Sequence, residues 1–339
     1  MKGDYEVIII GAGPGGLAAA FELAKHNKEV LLLEKNQGIG PKICAGGLTS
    51  KVSQLGISLN ITDHEFSTVK AYSNNKVYNI TLPRPFIVTV DREKFGQFLL
   101  KKAATAGAEV QTSAPVTKIT PDYVIVNNQK IYYKYLIGAD GSLSITRRYL
   151  GLKTKRIATS FQYIVKQGYP NLVISLDSRH YGSGYAWIFP HQGYTSCGIF
   201  SHHSDSKDRD LKKICHKWCL TNNIDLSNAK PEAWAINYDY CGWKFGNIFL
   251  IGDAGGFTSG LTGEGIYYAM ISGQEAAKKI INSDYACPEI KRILKKKSIQ
   301  EKLLQFMQTG VVPLNIYYRL LLSLSKNKWT TKKIVDFFS

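Results

Sequence analysis

The chain has no uninterrupted apolar run near the roughly 18–20 residues that a membrane-spanning helix requires. Any membrane attachment is therefore expected to be peripheral. The N-terminus is too polar for a signal peptide, since Met1 to Glu6 already carries two acids and runs into a glycine motif. Cysteine is scarce, with 6 in 339 residues at irregular spacing, which excludes a disulfide scaffold and points to a reduced, cytoplasmic protein. Acids are also under-represented: 26 Asp and Glu stand against 43 Lys and Arg, a formal charge of +17. Such a surface attracts anions such as nucleic acid, acidic lipid, phosphate-bearing cofactors or an acidic protein. No helix-turn-helix, zinc-finger or RNA-recognition signature is present, so nucleic acid is not expected as a partner. Internal repeats and low-complexity segments are absent as well.

What is present begins at residue 5. Tyr5 to Ile10 reads as a buried strand, Gly11-Ala-Gly13-Pro14-Gly15-Gly16 as a glycine turn and Leu17 to Ala24 as a helix. A second strand, Val30 to Leu33, then ends at Glu34-Lys35. This order of strand, glycine turn, helix, strand and acid is that of a dinucleotide-binding unit. Gly11 permits the tight turn, Gly13 lets the backbone approach a pyrophosphate, and Gly16 lets the helix pack on the strand. Free N–H groups and the dipole of the helix N-terminus suit phosphate, and Glu34 is placed for ribose hydroxyls. This motif alone does not separate FAD from NAD.

Two further strands end in an acid between small residues. Tyr135 to Ala139 leads to Asp140-Gly141-Ser142 with Arg147 beyond it, and Asn247 to Ile251 leads to Gly252-Asp253-Ala254. Both place a carboxylate at a strand C-terminus, the ligand edge of an open α/β sheet. Thr262-Gly263-Glu264-Gly265-Ile266 then opens a helix running to Ile281.

These segments resemble the hydroxylase-like flavoproteins, in which a similar Asp-Gly pair supports the pyrophosphate region and a Gly-Asp pair holds the ribityl chain. The resemblance implies FAD, with Arg92 in Val90-Asp-Arg92 reaching the nucleotide. Gly-Asp-Ala-Gly-Gly-Phe257, Leu261-Thr-Gly-Glu-Gly-Ile266, Gly184-Tyr185-Ala-Trp187-Ile-Phe189-Pro190 and Cys44-Ala45-Gly46-Gly47 are similar to the geranylgeranyl reductase family. Two departures are visible: Gly182 stands where the family usually has Pro, and the chain is shorter than many relatives. By this resemblance the cofactor set comprises Gly11, Gly13, Pro14, Gly15, Gly16, Glu34, Lys35, Cys44, Ala45, Gly46, Arg92, Val116, Ala139, Asp140, Gly141, Gly252, Asp253, Gly263, Gly265 and Ile266. The candidate catalytic and substrate-cavity residues are Cys44, Tyr185 and Trp187. The implied reaction is hydride transfer from reduced FAD to a C=C bond of a prenyl lipid, with NAD(P)H or a small redox protein as external donor. An FAD monooxygenase acting on an aromatic or protein-bound substrate is the alternative.

The expected fold is α/β: a discontinuous Rossmann-like FAD-binding domain (1–62, 91–154 and 241–285), an inserted antiparallel-sheet substrate domain (63–90 and 155–240) and a C-terminal helical region (286–339). On a strand, Tyr185, Trp187 and Phe189 share one face, either as a wall for a prenyl chain or as simple core. Cys44 is expected to be redox-active or structural, with Cys287 a possible partner, or an inert thiol. Cys215 and Cys219 are expected on a packed helix face, His202-His203 in a polar loop, and no metal site is expected. From Lys278 onward thirteen Lys and Arg face four acids, interleaved with Val311 to Leu322, Trp329 and Phe337-Phe338. This suits either an anchor on anionic lipid or a helical cap with solvated lysines.

Overall fold

The structure is a computed structural model that describes residues 3–49, 51, 57, 61–74, 76–206, 209–325 and 327–338. Its first sheet is built on five parallel strands: β1 (Asp4–Ile10), β2 (Val30–Leu33), β3 (Glu109–Gln111), β4 (Gln129–Gly138) and β5 (Ile248–Leu250). They lie in the order β5-β4-β1-β2-β3, all neighbours running parallel. Alternation along β1 sends Val7 and Ile9 to one face and Ile8 and Ile10 to the other, so the strand is buried on both sides. The first face is covered by helices α1 (Pro14–Lys25) and α2 (Arg92–Thr105). The second is covered by an antiparallel hairpin, Val116–Ile119 and Tyr123–Val126, extending from β4. A short helix, α3 (Ile145–Tyr149), follows β4.

The second sheet has seven strands in the order Lys230–Asn237, Ile157–Val165, Tyr194–His202, Tyr185–His191, Val173–Leu176, Thr68–Ser73 and Lys76–Thr81. It departs from the antiparallel expectation in one place, where Val173–Leu176 runs parallel to Thr68–Ser73. Those strands flank the long excursion through α2 and β4, and only such a crossover can return a chain in parallel register. Helix α4 (Leu211–Thr221) covers the back of this sheet, with Cys215 and Cys219 fully buried against Cys197, as expected of a packed helix face. His202 is not in a polar loop: it ends a strand, is fully buried, and its Nε2 donates to the Gly260 carbonyl at 2.7 Å, while His203 is exposed. Burial keeps the His202 imidazole below its usual basicity.

Helix α5 (Ile266–Ile281) returns to the first sheet and crosses α1 at close range. A Cβ on Gly273 would lie 2.2 Å from the Gly15 carbonyl oxygen, so glycines set this approach. The chain closes with three helices, α6 (Pro288–Gln308), α7 (Leu314–Leu324) and α8 (Lys328–Phe338). Tyr318 and Leu322 of α7 are buried, and Tyr318 packs with Trp187, Phe189 and Phe200 of the second sheet. No helix among the described residues is long and apolar enough to cross a membrane.

Candidate functional site

The turn after β1 is shaped by steric necessity. Gly11 has φ +103°, and a Cβ there would sit 2.4 Å from the Ala139 carbonyl oxygen. A Cβ on Gly16 would sit 2.0 Å from the Gly11 oxygen. Gly13 differs, because a Cβ there would meet nothing within 4 Å. It is the N-cap of α1, with no side-chain cap and no acid in the first turn, so the helix dipole faces that space uncompensated. Pro14 occupies N1, where its missing N–H costs nothing. Glu34 turns toward the loop, accepting from the Ala12 N–H at 2.9 Å and the Asn36 N–H at 3.0 Å. Lys35 points to solvent.

The two strand-end acids do different work. Asp140 accepts from Ser144 Oγ (2.6 Å), the Thr146 N–H (3.0 Å) and Thr146 Oγ1 (3.1 Å), so it braces the turn into α3. Burial raises its carboxyl above the ordinary range despite these bonds. Its neighbours Ala139 and Gly141, not Asp140 itself, line the cavity described below. Asp253 follows β5 on a single 3-10 turn (Gly252–Gly255) and does line it. It accepts from Thr258 Oγ1 (2.5 Å), Lys42 Nζ (3.2 Å) and Ser142 Oγ (3.3 Å). Burial alone would raise Asp253, but the Lys42 ammonium and the two hydroxyls outweigh it and hold the carboxyl below its usual range.

Cys44 and Ala45 lie on a loop of this cavity, and the following Gly46 (φ +73°) and Gly47 bring the backbone close to the second sheet. A Cβ on Gly46 would fall 2.5 Å from Cε1 of His191. That imidazole is pinned from both sides, Nδ1 at 2.9 Å from Asp63 Oδ2 and Nε2 at 2.9 Å from the Ala45 carbonyl. With both ring nitrogens engaged, the ring is fixed in orientation. It stacks on Tyr194 with centroids 4.4 Å apart. The pairing of Cys44 with Cys287 does not form: both are free thiols, and Cys287 caps α6 with its Sγ toward the Tyr285 carbonyl.

Tyr185, Trp187 and Phe189 share one face of their strand and line a cavity of about 610 Å³, while Ala186 and Ile188 face α4. The Tyr185 hydroxyl donates to the Thr262 carbonyl at 2.8 Å, and Trp187 Nε1 donates to Ser196 Oγ at 3.0 Å. With their polar atoms satisfied, the rings present only hydrocarbon to the cavity. The same cavity reaches Gly13, Arg92, Gly252 and Asp253 at one end. At the other it meets Leu321 and Leu322 of α7 and Phe337 and Phe338 of α8.

Of the remaining expected cofactor residues, Pro14, Gly15, Gly263, Gly265 and Ile266 are on its walls. Gly11, Gly16, Glu34, Lys35, Gly46, Asp140 and Val116 do not line it, and Val116 begins the hairpin, packed against the second core face. Sequence reasoning missed Lys42, Thr49 and His191. The only local signal for His191 is its place just after the Tyr-x-Trp-x-Phe-Pro segment.

A family model described as an FAD binding domain matches residues 4–283. A digeranylgeranylglycerophospholipid reductase of Methanocaldococcus jannaschii is 30% identical over 319 residues, covering 83% of this chain and 79% of its own. The chain belongs to the geranylgeranyl reductase family of FAD-dependent oxidoreductases. A geranylgeranyl diphosphate reductase of Rhodobacter capsulatus is 26% identical over 300 residues, covering 81% of this chain and 74% of its own. A crystal structure of a geranylgeranyl bacteriochlorophyll reductase-like protein from Thermoplasma acidophilum superposes with a TM-score of 0.81 over 98% of this chain and 96% of that one, at 22% identity, and so shares the fold. As a geranylgeranyl reductase-family enzyme the protein uses FAD, and its residues fit that group. Arg92, at the start of α2, is buried with its Nε lacking any hydrogen-bond partner, and it stands on the cavity wall with Gly13 and the bare end of α1. An unsatisfied buried guanidinium nitrogen and an uncapped helix N-terminus both call for an anionic acceptor.

Proposed function

We propose that this enzyme saturates C=C bonds in the prenyl chain of a lipid. The observation that carries this reading is the single cavity, with the cofactor residues at one end and hydrocarbon side chains at the other. Bound and reduced, FAD would supply a hydride. Arg92, the α1 N-terminus and Asp253 would hold the cofactor, with Asp253 accepting from hydroxyl groups because Lys42 keeps it ionised. An isolated alkene has no carbonyl to polarise, so the protein's contribution lies in approximation and in excluding water. Tyr185, Trp187, Phe189 and Phe200 would flank the reacting segment, and Leu321, Leu322, Phe337 and Phe338 would hold the distal chain. The relatives named above, by their names, act on geranylgeranyl groups, which supports the same substrate class here. One dinucleotide fingerprint is present and FAD takes it, so the electrons come from outside, from NAD(P)H binding transiently or from a small redox protein.

The test is anaerobic. Reduced enzyme mixed with a geranylgeranyl-chain lipid is expected to reoxidise as the lipid gains two hydrogens per reduced double bond, read by mass spectrometry. Turnover that requires O₂ and adds oxygen to the product would overturn the reading in favour of a monooxygenase.

The C-terminal helices support delivery from a bilayer. Ile316, Leu320 and Leu324 lie at four-residue spacing on the outer face of α7, and with Val311 and Trp329 they are exposed. The opposite face of α7 carries the cavity residues Leu321 and Leu322, so one helix touches both surroundings. Arg319, Lys332 and Lys333 lie among these positions, matching acidic headgroups. Sedimentation with liposomes is expected to be salt-sensitive and selective for anionic lipid. Trp329→Ala with Leu320→Asp should weaken it about tenfold or more. Equal binding to neutral and acidic vesicles would overturn the surface.

A further inference from the structure

Two acids line the cavity among the described residues, Asp253 and Glu264. Lys42 holds the first ionised, so it has no proton to give. Glu264 is its opposite. It stands between Gly263 and Gly265, immediately before α5, and its Oε1 accepts from Thr49 Oγ1 at 2.8 Å. Its Oε2 is inaccessible to solvent and makes no hydrogen bond. An ionised carboxylate with an orphaned buried oxygen is costly, whereas the neutral acid places its proton there.

Resting on the reading of the cavity as an alkene-reduction site, we infer that Glu264 is the proton donor: rotation about its last side-chain bond turns the protonated oxygen from the wall into the cavity, where it gives its proton to one alkene carbon as the other receives the hydride. In that step the alkene π bond breaks and two C–H bonds form. One takes the hydride and its electron pair from reduced FAD, which is oxidised. The other takes the proton as the Glu264 O–H bond breaks and leaves a carboxylate. The carboxylate so formed lies at the N-terminus of α5, where the helix dipole favours negative charge, and it regains its proton from water before the next turnover.

The surroundings agree. Burial pushes the Glu264 carboxyl up, against the Thr49 hydrogen bond and the charges of Lys296 on α6 and Lys51. The other ionisable groups facing it are the phenols of Tyr185 and Tyr268. Burial holds both phenols in their neutral form, far too weakly acidic to compete as proton donors near neutrality. The Tyr185 proton is in any case committed to the Thr262 carbonyl.

The test compares wild type with Glu264→Gln, which keeps the shape but removes the acidic proton, and with Thr49→Val, which removes the bond that favours the carboxylate. Glu264→Gln is expected to bind FAD and be reduced normally by dithionite, and then to be reoxidised by a geranylgeranyl-chain lipid about 100-fold more slowly or worse. The wild-type rate should fall as pH rises through the titration of Glu264. In Thr49→Val that fall should move to higher pH. In the apoprotein near neutral pH, the infrared carbonyl band of a protonated carboxylic acid should be present in wild type and lost in Glu264→Gln. An unimpaired rate in Glu264→Gln, an absent band, or a variant that loses FAD would overturn the proton donor. Wild-type enzyme that the lipid does not reoxidise would instead overturn the prenyl-reduction reading itself.

Discussion

Gly13→Val is expected to give a protein that folds as the wild type does and binds FAD at least 100-fold more weakly, a loss of about 3 kcal/mol. Gly13 has φ −71° and ψ 174°, extended backbone open to any residue, and a Cβ there meets no protein atom within 4 Å. A valine side chain would therefore enter the space in front of the α1 N-terminus, where the phosphates must approach the bare N–H groups. Apoprotein melting temperature should be unchanged, while titration with FAD followed by flavin fluorescence reports the loss. Gly16→Val supplies the contrast. Its Cβ would lie 2.0 Å from the Gly11 oxygen, so this variant should lose about 1–3 kcal/mol of stability and show it in the melt. Flavin retention in Gly13→Val would mean that the phosphates sit elsewhere.

Arg147→Met is the substitution expected to cost the fold most. The guanidinium is buried and donates to the carbonyls of Ala254 (3.3 Å) and Lys153 (3.1 Å), with Asp239 3.5 Å away. It thus ties the turn after β5 to the segment that enters the second sheet. Removing one member of a buried pair leaves the other uncompensated, at a cost of about 3–5 kcal/mol. Here the lower end applies, because Asp239 keeps Arg156 at 3.1 Å and the Lys155 N–H at 2.8 Å. Burial would raise Asp239, but Lys155, Arg156 and Arg147 together hold it below the ordinary carboxylate value. The stability this group contributes is complete above that value and is lost as pH falls through the depressed one. Without Arg147 the depression shrinks, so acid unfolding should begin at higher pH. Urea unfolding of the apoprotein at neutral and acidic pH checks both, and an unchanged midpoint at both would refute the role.

The glycine turn and the two strand-end acids were readable because their constraints are local. Gly11 and Gly16 answer to atoms within a few residues or on the adjacent strand, and alternation along Tyr185–Phe189 follows from the strand period alone. The partners of those residues were not readable. Lys42 meets Asp253 across 211 positions, Thr49 meets Glu264 across 215, and His191 meets Asp63 across 128. No periodicity links such residues, and each pair forms only in the assembled fold. His202 shows the converse error, since a polar doublet beside an acid reads as a loop until tertiary burial supplies Gly260 as its partner. Val116 was assigned from resemblance, without a local constraint of its own, and it does not line the cavity.

The order of the parallel sheet has a consequence for the protein's biogenesis. β1 leaves the ribosome first, yet its neighbour β4 ends at Gly138, and β5, which sets Asp253 beside them, ends only at Leu250. β1 and β2 can pair early, but the other edge of β1 waits for β4, and the site waits for β5. Pairings of such long sequence separation form slowly. The cofactor can be locked in only after α5 has docked, so flavin supply during synthesis becomes a determinant of how much chain escapes aggregation.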